Sequence, residues 1–178
     1  MHRLFVALRP PSVIRQACLT AMEDGPPGWA WQDAEQLHLT LRYIGDVDRP
    51  VAEDVAAALG SVHAPPIDLA LCGVGWFDHG PRGALFARLA PVEPLAALHT
   101  KLDRALVRAG LEPERRAYLP HITLARRRSS AVDPAGWLER NAALASGVER
   151  AAAMILFESH IGRHGSSYEA IATYPLAG

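Results

Sequence analysis

Apolar positions in this chain recur at two different spacings, and each spacing marks a different kind of element. Leu4 to Leu8 form a short, nearly continuous apolar run ending at Arg9-Pro10-Pro11, which predicts a strand buried on both faces. From Ser12 to about Met22, Val13, Ile14, Ala17, Cys18 and Ala21 recur at helical spacing, and Gly25-Pro26-Pro27-Gly28 then breaks the chain. Leu37, Leu39 and Leu41 alternate with other residues until Gly45-Asp46, so a second strand is expected there. Asp48-Arg49-Pro50 opens a helix with Val51, Val55 and Leu59 on one face and Gly60 as its stop. Ile67, Leu69 and Leu71 alternate, the Gly- and Pro-rich stretch from Gly73 to Gly83 reads as a long loop, and Ala84 to Leu89 returns as a partner strand. Pro94 precedes Leu95, Leu98, Leu102 and Leu106, with Gly110 just past the end, the strongest amphipathic helix in the chain. Leu119 to Ala125 predicts a further strand, and Asp133-Pro134 opens a helix expected to run through about Ala145 and close at Gly147. Ala151 to Glu158 and Tyr168 to Tyr174 complete the chain as strands.

That order of strands and helices favours an α+β architecture over a doubly wound parallel sheet. A chain of 178 residues suits one domain or two small lobes sharing a cleft. Hydrophobic content of 49% with 21% charged residues belongs to a globular protein and argues against disorder. A net charge of −1 supplies no global positive field, so any anionic ligand must be held locally. Of the 18 basic residues only Lys101 is not arginine; biased residue usage is the ordinary reading, although a guanidinium fork suits phosphate oxygens when one faces a site. Cys18 and Cys72 are far apart and lack CxxC spacing, as expected for reduced apolar fillers in a cytoplasmic protein. The first apolar run is too short for a signal-peptide core or a membrane span, so a soluble, unexported protein is expected.

The chemistry enters with a repeat. His38-Leu39-Thr40-Leu41 recurs 83 positions later as His121-Ile122-Thr123-Leu124, close to half the chain length. Eight His and five Thr in 178 residues predict about 0.2 chance His-x-Thr triplets, so two with apolar partners at both variable positions are not accidental. On a strand, His38 and Thr40 share one face while Leu39 and Leu41 point into a core, and the second copy repeats the arrangement. Two such strands facing each other would surround one small ligand with two imidazoles and two hydroxyls. Phosphate fits that set: hydroxyls donate to its oxygens, and imidazoles exchange protons near neutral pH. Neither HExxH nor His-x-His spacing is present, so no metal is expected.

At these residues the sequence resembles the two-histidine phosphoesterase superfamily, in particular its branch of RNA 2′,3′-cyclic phosphodiesterases, also called 2′-5′ RNA ligases. The resemblance runs over Arg3 to Leu8, His38 to Gly45, Pro120 to Arg126, Phe157-Glu158-Ser159 and Ser167-Tyr168-Glu169. It implies one bilobal domain over residues 1–178, with two antiparallel sheets flanking a V-shaped groove and helices on the outer faces. The implied reaction is metal-independent hydrolysis of a terminal 2′,3′-cyclic phosphate to a 2′-phosphomonoester, without a cofactor. His38 would be the acid that protonates the leaving 3′ oxygen, His121 the base that activates water, and Thr40 and Thr123 the phosphate holders. The residues themselves do not order acid and base, because the two motifs are chemically equivalent. The expected partner is an RNA or oligonucleotide end, or a small nucleotide, bound by a monomer. Ligation, opening of small cyclic nucleotides and non-catalytic RNA-end binding remain the alternatives.

Three further residues are candidates for binding. Strand alternation puts Arg42 on the ligand face, or leaves it a solvated edge residue. The same alternation points Arg126 away from His121 unless a bulge or strand end re-aims it. Tyr118, just before Leu119-Pro120-His121, would stack on a terminal base or serve as a core or rim residue. Arg115, Arg116, Arg127 and Arg128 read as a solvated basic face, and the remaining histidines have no assigned role.

Overall fold

In a computed structural model describing residues 1–177, the helices begin where the sequence supplies openings. α1 (Ser12–Met22) follows the two prolines and buries Ile14, Cys18 and Ala21. α2 (Arg49–Gly60) opens on Asp48, whose carboxylate accepts the Val51 amide at 3.0 Å, and it buries Val55 and Leu59. α3 (Val92–Arg108) buries Leu95, Leu98, Leu102, Ala105 and Leu106, and the chain turns away at Gly110, whose φ of +98° favours glycine. Each such leucine taken fully from water contributes about 1.5–3 kcal/mol.

Two expectations fail, and one contact explains part of both. The helix expected to reach Ala145 is only α4 (Ala135–Arg140), anchored by Trp137, whose indole N–H donates to the Ala21 carbonyl at 2.9 Å. Beyond it the chain takes strand partners instead. Leu144 O accepts from the Gly73 amide at 2.7 Å, and Ser146 Oγ accepts from the Leu71 amide at 2.9 Å. The partner is the strand that holds much of the supposed long loop: it runs unbroken over Ile67–Phe77, bulged between Leu71 and Val74. Gly73, at φ +94°, makes that bulge. Gly75 lets the chain approach Phe86, since a Cβ there would lie 2.7 Å from the ring. The loop shrinks to 78–83, with a 3-10 turn at Gly80–Arg82.

The strands are β1 (His2–Leu8), β2 (Ala30–Trp31), β3 (Leu39–Val47), β4 (Ile67–Phe77), β5 (Ala84–Ala90), β6 (His121–Arg126), β7 (Glu149–Ala151), β8 (Ala153–Gly162) and β9 (Gly165–Pro175). They pair antiparallel in the order β7-β4-β5-β6-β3-β1-β8-β9, with β2 beside β6. The expected α+β architecture is therefore present, and the two antiparallel sheets are halves of one ladder. β6-β5-β4-β7 and β3-β1-β8-β9 meet at one residue pair, Leu39 with Ile122. Each half contains the same unit: a strand, a helix, then a motif strand paired with the first strand (β1-α1-β3 and β5-α3-β6). A continuous apolar core joins both halves through Leu39, Leu41, Leu102, Ile122 and Leu124. Phe5, Ala7, Ile155 and Phe157 form a separate small cluster, with Tyr168 packed on it.

Candidate active site

The seam between the halves assembles the repeated motif. Leu39 and Ile122 are paired across β3 and β6, and both are buried. In that antiparallel register His38 lies opposite Thr123, and Thr40 opposite His121. Alternation then puts all four on the side away from Leu39 and Ile122. The two histidines therefore occupy diagonal positions across the seam, near enough for the charge of one to act on the other.

After each motif threonine the strand bulges. The β1–β3 register passes from Ala7 with Thr40 to Val6 with Arg42, skipping Leu41. The β5–β6 register passes from Phe86 with Thr123 to Leu85 with Ala125, skipping Leu124, the residue 83 positions on from Leu41. Paired residues share a face, so each bulge reverses the parity of the strand residues beyond it. Arg42, paired with core-facing Val6, turns inward, and Tyr43, paired with Phe5, takes the site face. Arg126, paired with Ala84, returns to the face of Thr123 and His121. The ligand-face expectation for Arg42 is thereby corrected, and the bulge that Arg126 required is present.

Both imidazoles are held in the same way. His38 Nδ1 is 2.7 Å from the Gln36 carbonyl, and His121 Nδ1 is 2.7 Å from the Leu119 carbonyl. A carbonyl only accepts, so Nδ1 carries the proton in each ring, and in the neutral form Nε2 is left as a base. Aromatic rings flank both: Phe5 and Tyr168 at 4.9 and 5.0 Å from His38, Phe77 and Phe86 both at 5.2 Å from His121. Burial pushes His38 down to about 4, assisted by the nearby charges of Arg126 and His121 and opposed by the Gln36 bond. Burial also holds His121 below histidine's ordinary value, again with Arg126 assisting and the Leu119 bond opposing. Arg126 is exposed and has no ion-pair partner among the described residues, so its charge is available to an anion.

Residues 10–155 match the 2′-5′ RNA ligase superfamily. The chain belongs to that superfamily. It is 33% identical over 94 residues to the RNA 2′,3′-cyclic phosphodiesterase of Aeropyrum pernix, covering 52% of this chain and 53% of that protein. Its identity to the RNA 2′,3′-cyclic phosphodiesterase of Geobacillus stearothermophilus is 29% over 182 residues, covering 98% of this chain and 57% of that protein. The chain thus spans little more than half the length of these two relatives. A solved structure described as a phosphoesterase superposes with a TM-score of 0.81 at 25% identity, covering 99% of both chains.

In this superfamily member two cavities open along the seam. One of about 390 Å³ is lined by Thr40, Tyr43, Phe77, His79, Tyr118 and His121, among others. A smaller one of about 230 Å³ carries His38, Thr40, Tyr43, Arg126, Ser159 and Tyr168. Tyr118 forms a wall: one face stacks on His99 at 4.3 Å, and its hydroxyl donates to the Thr40 carbonyl at 3.3 Å. Arg42 is 8% exposed and lies behind the site as a brace. Its Nε donates to Asp103 at 2.8 Å, Nη1 to the Tyr43 carbonyl at 2.6 Å, and Nη2 to the Glu112 carbonyl. Asp103 also accepts the Glu114 amide at 3.0 Å, so the cluster ties α3 and the segment leading to Tyr118 onto β3. The residue chemistry alone missed Tyr43, Tyr168 and the two carbonyls. The available signal for Tyr43 was its offset of 83 positions from Arg126.

Proposed function

We propose that the protein opens terminal 2′,3′-cyclic phosphates on RNA, leaving 2′-phosphomonoesters, with His38 and His121 exchanging the protons. The observation that carries this reading is the cross-strand quartet His38, Thr40, His121 and Thr123, with both Nε2 atoms left as the reactive nitrogens. The names and similarity of the relatives support it.

In the proposed reaction the phosphate lies among the Thr40 and Thr123 hydroxyls, and Arg126 offsets its charge. His121 Nε2 takes a proton from water as the water oxygen bonds phosphorus; the bond from phosphorus to the 3′ oxygen breaks, and His38 Nε2–H protonates that oxygen. The order of acid and base follows the family resemblance. His38 is held low in the ligand-free site, so the negative charge of the substrate supplies the interaction that keeps the donated proton on its ring. We also propose that residues 1–178 act as one bilobal unit and as a monomer, since one chain supplies the whole quartet. No helix among the described residues is long and apolar enough to cross a membrane. Cys18 and Cys72 are unpaired, which supports the proposed cytoplasmic setting.

The test is incubation with an oligonucleotide ending in a 2′,3′-cyclic phosphate, in the presence of EDTA, with mapping of the product end. Turnover to a 2′-phosphate that is lost in both His38→Ala and His121→Ala is expected. Tight binding without turnover would leave an RNA-end binding module instead, and activity restored only by zinc would overturn the metal-free chemistry.

A further inference from the structure

The seam that builds the site is thinly bonded. Among the described residues β3 and β6 share one ladder pair, Leu39 with Ile122, and Thr40 lies one residue beyond it, just before the bulge at Leu41. No second ladder pair fixes Thr40 against His121, and a side chain bridges the gap instead. Tyr118 enters from the segment that precedes β6, and its hydroxyl donates to the Thr40 carbonyl at 3.3 Å. The same short segment reaches the other motif. Leu119, the next residue, supplies the carbonyl that accepts from His121 Nδ1 at 2.7 Å. Pro120 ties the segment to β5, its carbonyl accepting the Leu89 amide at 3.4 Å. Three consecutive residues thus hold the threonine strand of the first half, the imidazole of the second, and the strand beside that imidazole.

Tyr118 is itself held from behind. Its ring lies flat on His99 of α3, with centroids 4.3 Å apart and planes 5° from parallel. One turn later on the same helix face, Asp103 accepts from Arg42 at 2.8 Å. α3 therefore secures both the ring that bonds to Thr40 and the residue two positions further along β3. Burial pushes the Tyr118 phenol up to about 13, so the hydroxyl keeps its proton, and remains a donor, across the range in which the histidines titrate.

We infer that Tyr118 is a positioning residue: through its hydroxyl it sets the place of Thr40 relative to His121, so that a phosphate held by Thr40 lies within reach of the imidazole that the adjoining residue orients. The device spans the two halves, because Tyr118 and Leu119 are neighbours in the chain while their partners belong to different motif copies. It works on the ligand only through the threonine. Thr40→Ala keeps the carbonyl that Tyr118 bonds and removes the hydroxyl that phosphate would meet, so the two contributions can be taken apart in a double-mutant cycle.

This inference rests on the proposed phosphate-holding role of Thr40, and its test is kept apart from hydrolysis by using inorganic phosphate, which has neither a base to stack nor a bond to open. Equilibrium phosphate binding is measured for Tyr118→Phe, which keeps the ring and loses the hydroxyl, in three backgrounds: wild type, Thr40→Ala and Thr123→Ala. In wild type the change should weaken binding about two- to tenfold, the worth of one neutral hydrogen bond. In Thr123→Ala it should weaken binding by the same factor, and in Thr40→Ala it should add nothing. An equal loss in all three backgrounds, or no loss in wild type, overturns the positioning role. Failure of the wild-type protein to bind phosphate overturns it together with the role of Thr40. Opening of a 2′,3′-cyclic phosphate is assayed alongside: turnover with a failed cycle sinks Tyr118 alone, and the expected cycle without turnover sinks the hydrolytic reading and leaves the positioning role standing.

Discussion

At the scale of single residues, the two imidazoles owe their orientation to backbone carbonyls two positions earlier, which no substitution at Gln36 or Leu119 can delete. Loss of either ring should slow opening of a 2′,3′-cyclic phosphate by about a hundredfold or more, the usual range for a positioned acid or base. Single-turnover rates of His38→Ala and His121→Ala check this, and near wild-type rates in either would refute the role. The pH profile follows from the environment of the rings. The base must be neutral and the acid protonated, and the limbs of kcat/KM report both values in the free protein. Because burial lowers His38 to about 4 and also lowers His121, both limbs move to the acid side, and kcat/KM should peak below pH 6.5 and fall through neutrality. A plateau extending to pH 8 would contradict the buried-ring picture. Adding inorganic phosphate should raise the titration of the His38 ring measured by NMR, since an anion beside it favours the protonated form.

At the scale of elements, what the sequence discloses depends on whether an element is specified locally. Pro10-Pro11, Asp48 with Pro50, and Gly110 mark helix boundaries through their own backbone or capping chemistry, and the starts of α1 and α2 and the end of α3 fall there. The His-x-Thr face of each motif strand was legible because alternation holds from His to Thr. It was lost one residue later, at Leu41 and Leu124, because a bulge depends on the partner strand and leaves no mark on the hydrophobic pattern. Gly73 and Gly75 read as loop residues for the same reason: the Phe86 ring and the Ala142 carbonyl that call for glycine are remote in sequence. The Arg42 brace is another long-range product. Asp103→Ala should leave that guanidinium without its carboxylate and cost about 3 kcal/mol, at the low end for a buried pair because Asp103 keeps some solvent contact. Urea unfolding checks it; a change under 1 kcal/mol would show that Glu114 and the carbonyls suffice. In α3, Leu102→Ala should cost about 2–5 kcal/mol by emptying a fully buried position.

At the scale of the whole molecule, the site also draws on folding stability. A ring held near 4 when folded and near 6.5 when unfolded makes the unfolded chain bind more protons between those values. Its contribution is complete above about pH 6.5 and is lost as pH falls toward 4. The melting temperature of His38→Gln should therefore decline less than that of wild type across this window, and parallel declines would show that His38 is not protonated on unfolding. The order of strands has a further consequence, for synthesis. The half containing β4, β5 and β6 is nearly contiguous in sequence, whereas the half containing His38 joins β1 and β3 to β8 and β9, the last strands to leave the ribosome. A nascent chain ending near residue 150 already carries both histidines but has neither Tyr168, which packs on His38, nor Phe157, which packs on Phe5 behind it. Closure of the His38 side of the seam thus waits on translation of the final hairpin, after the rest of the two motif strands has left the ribosome.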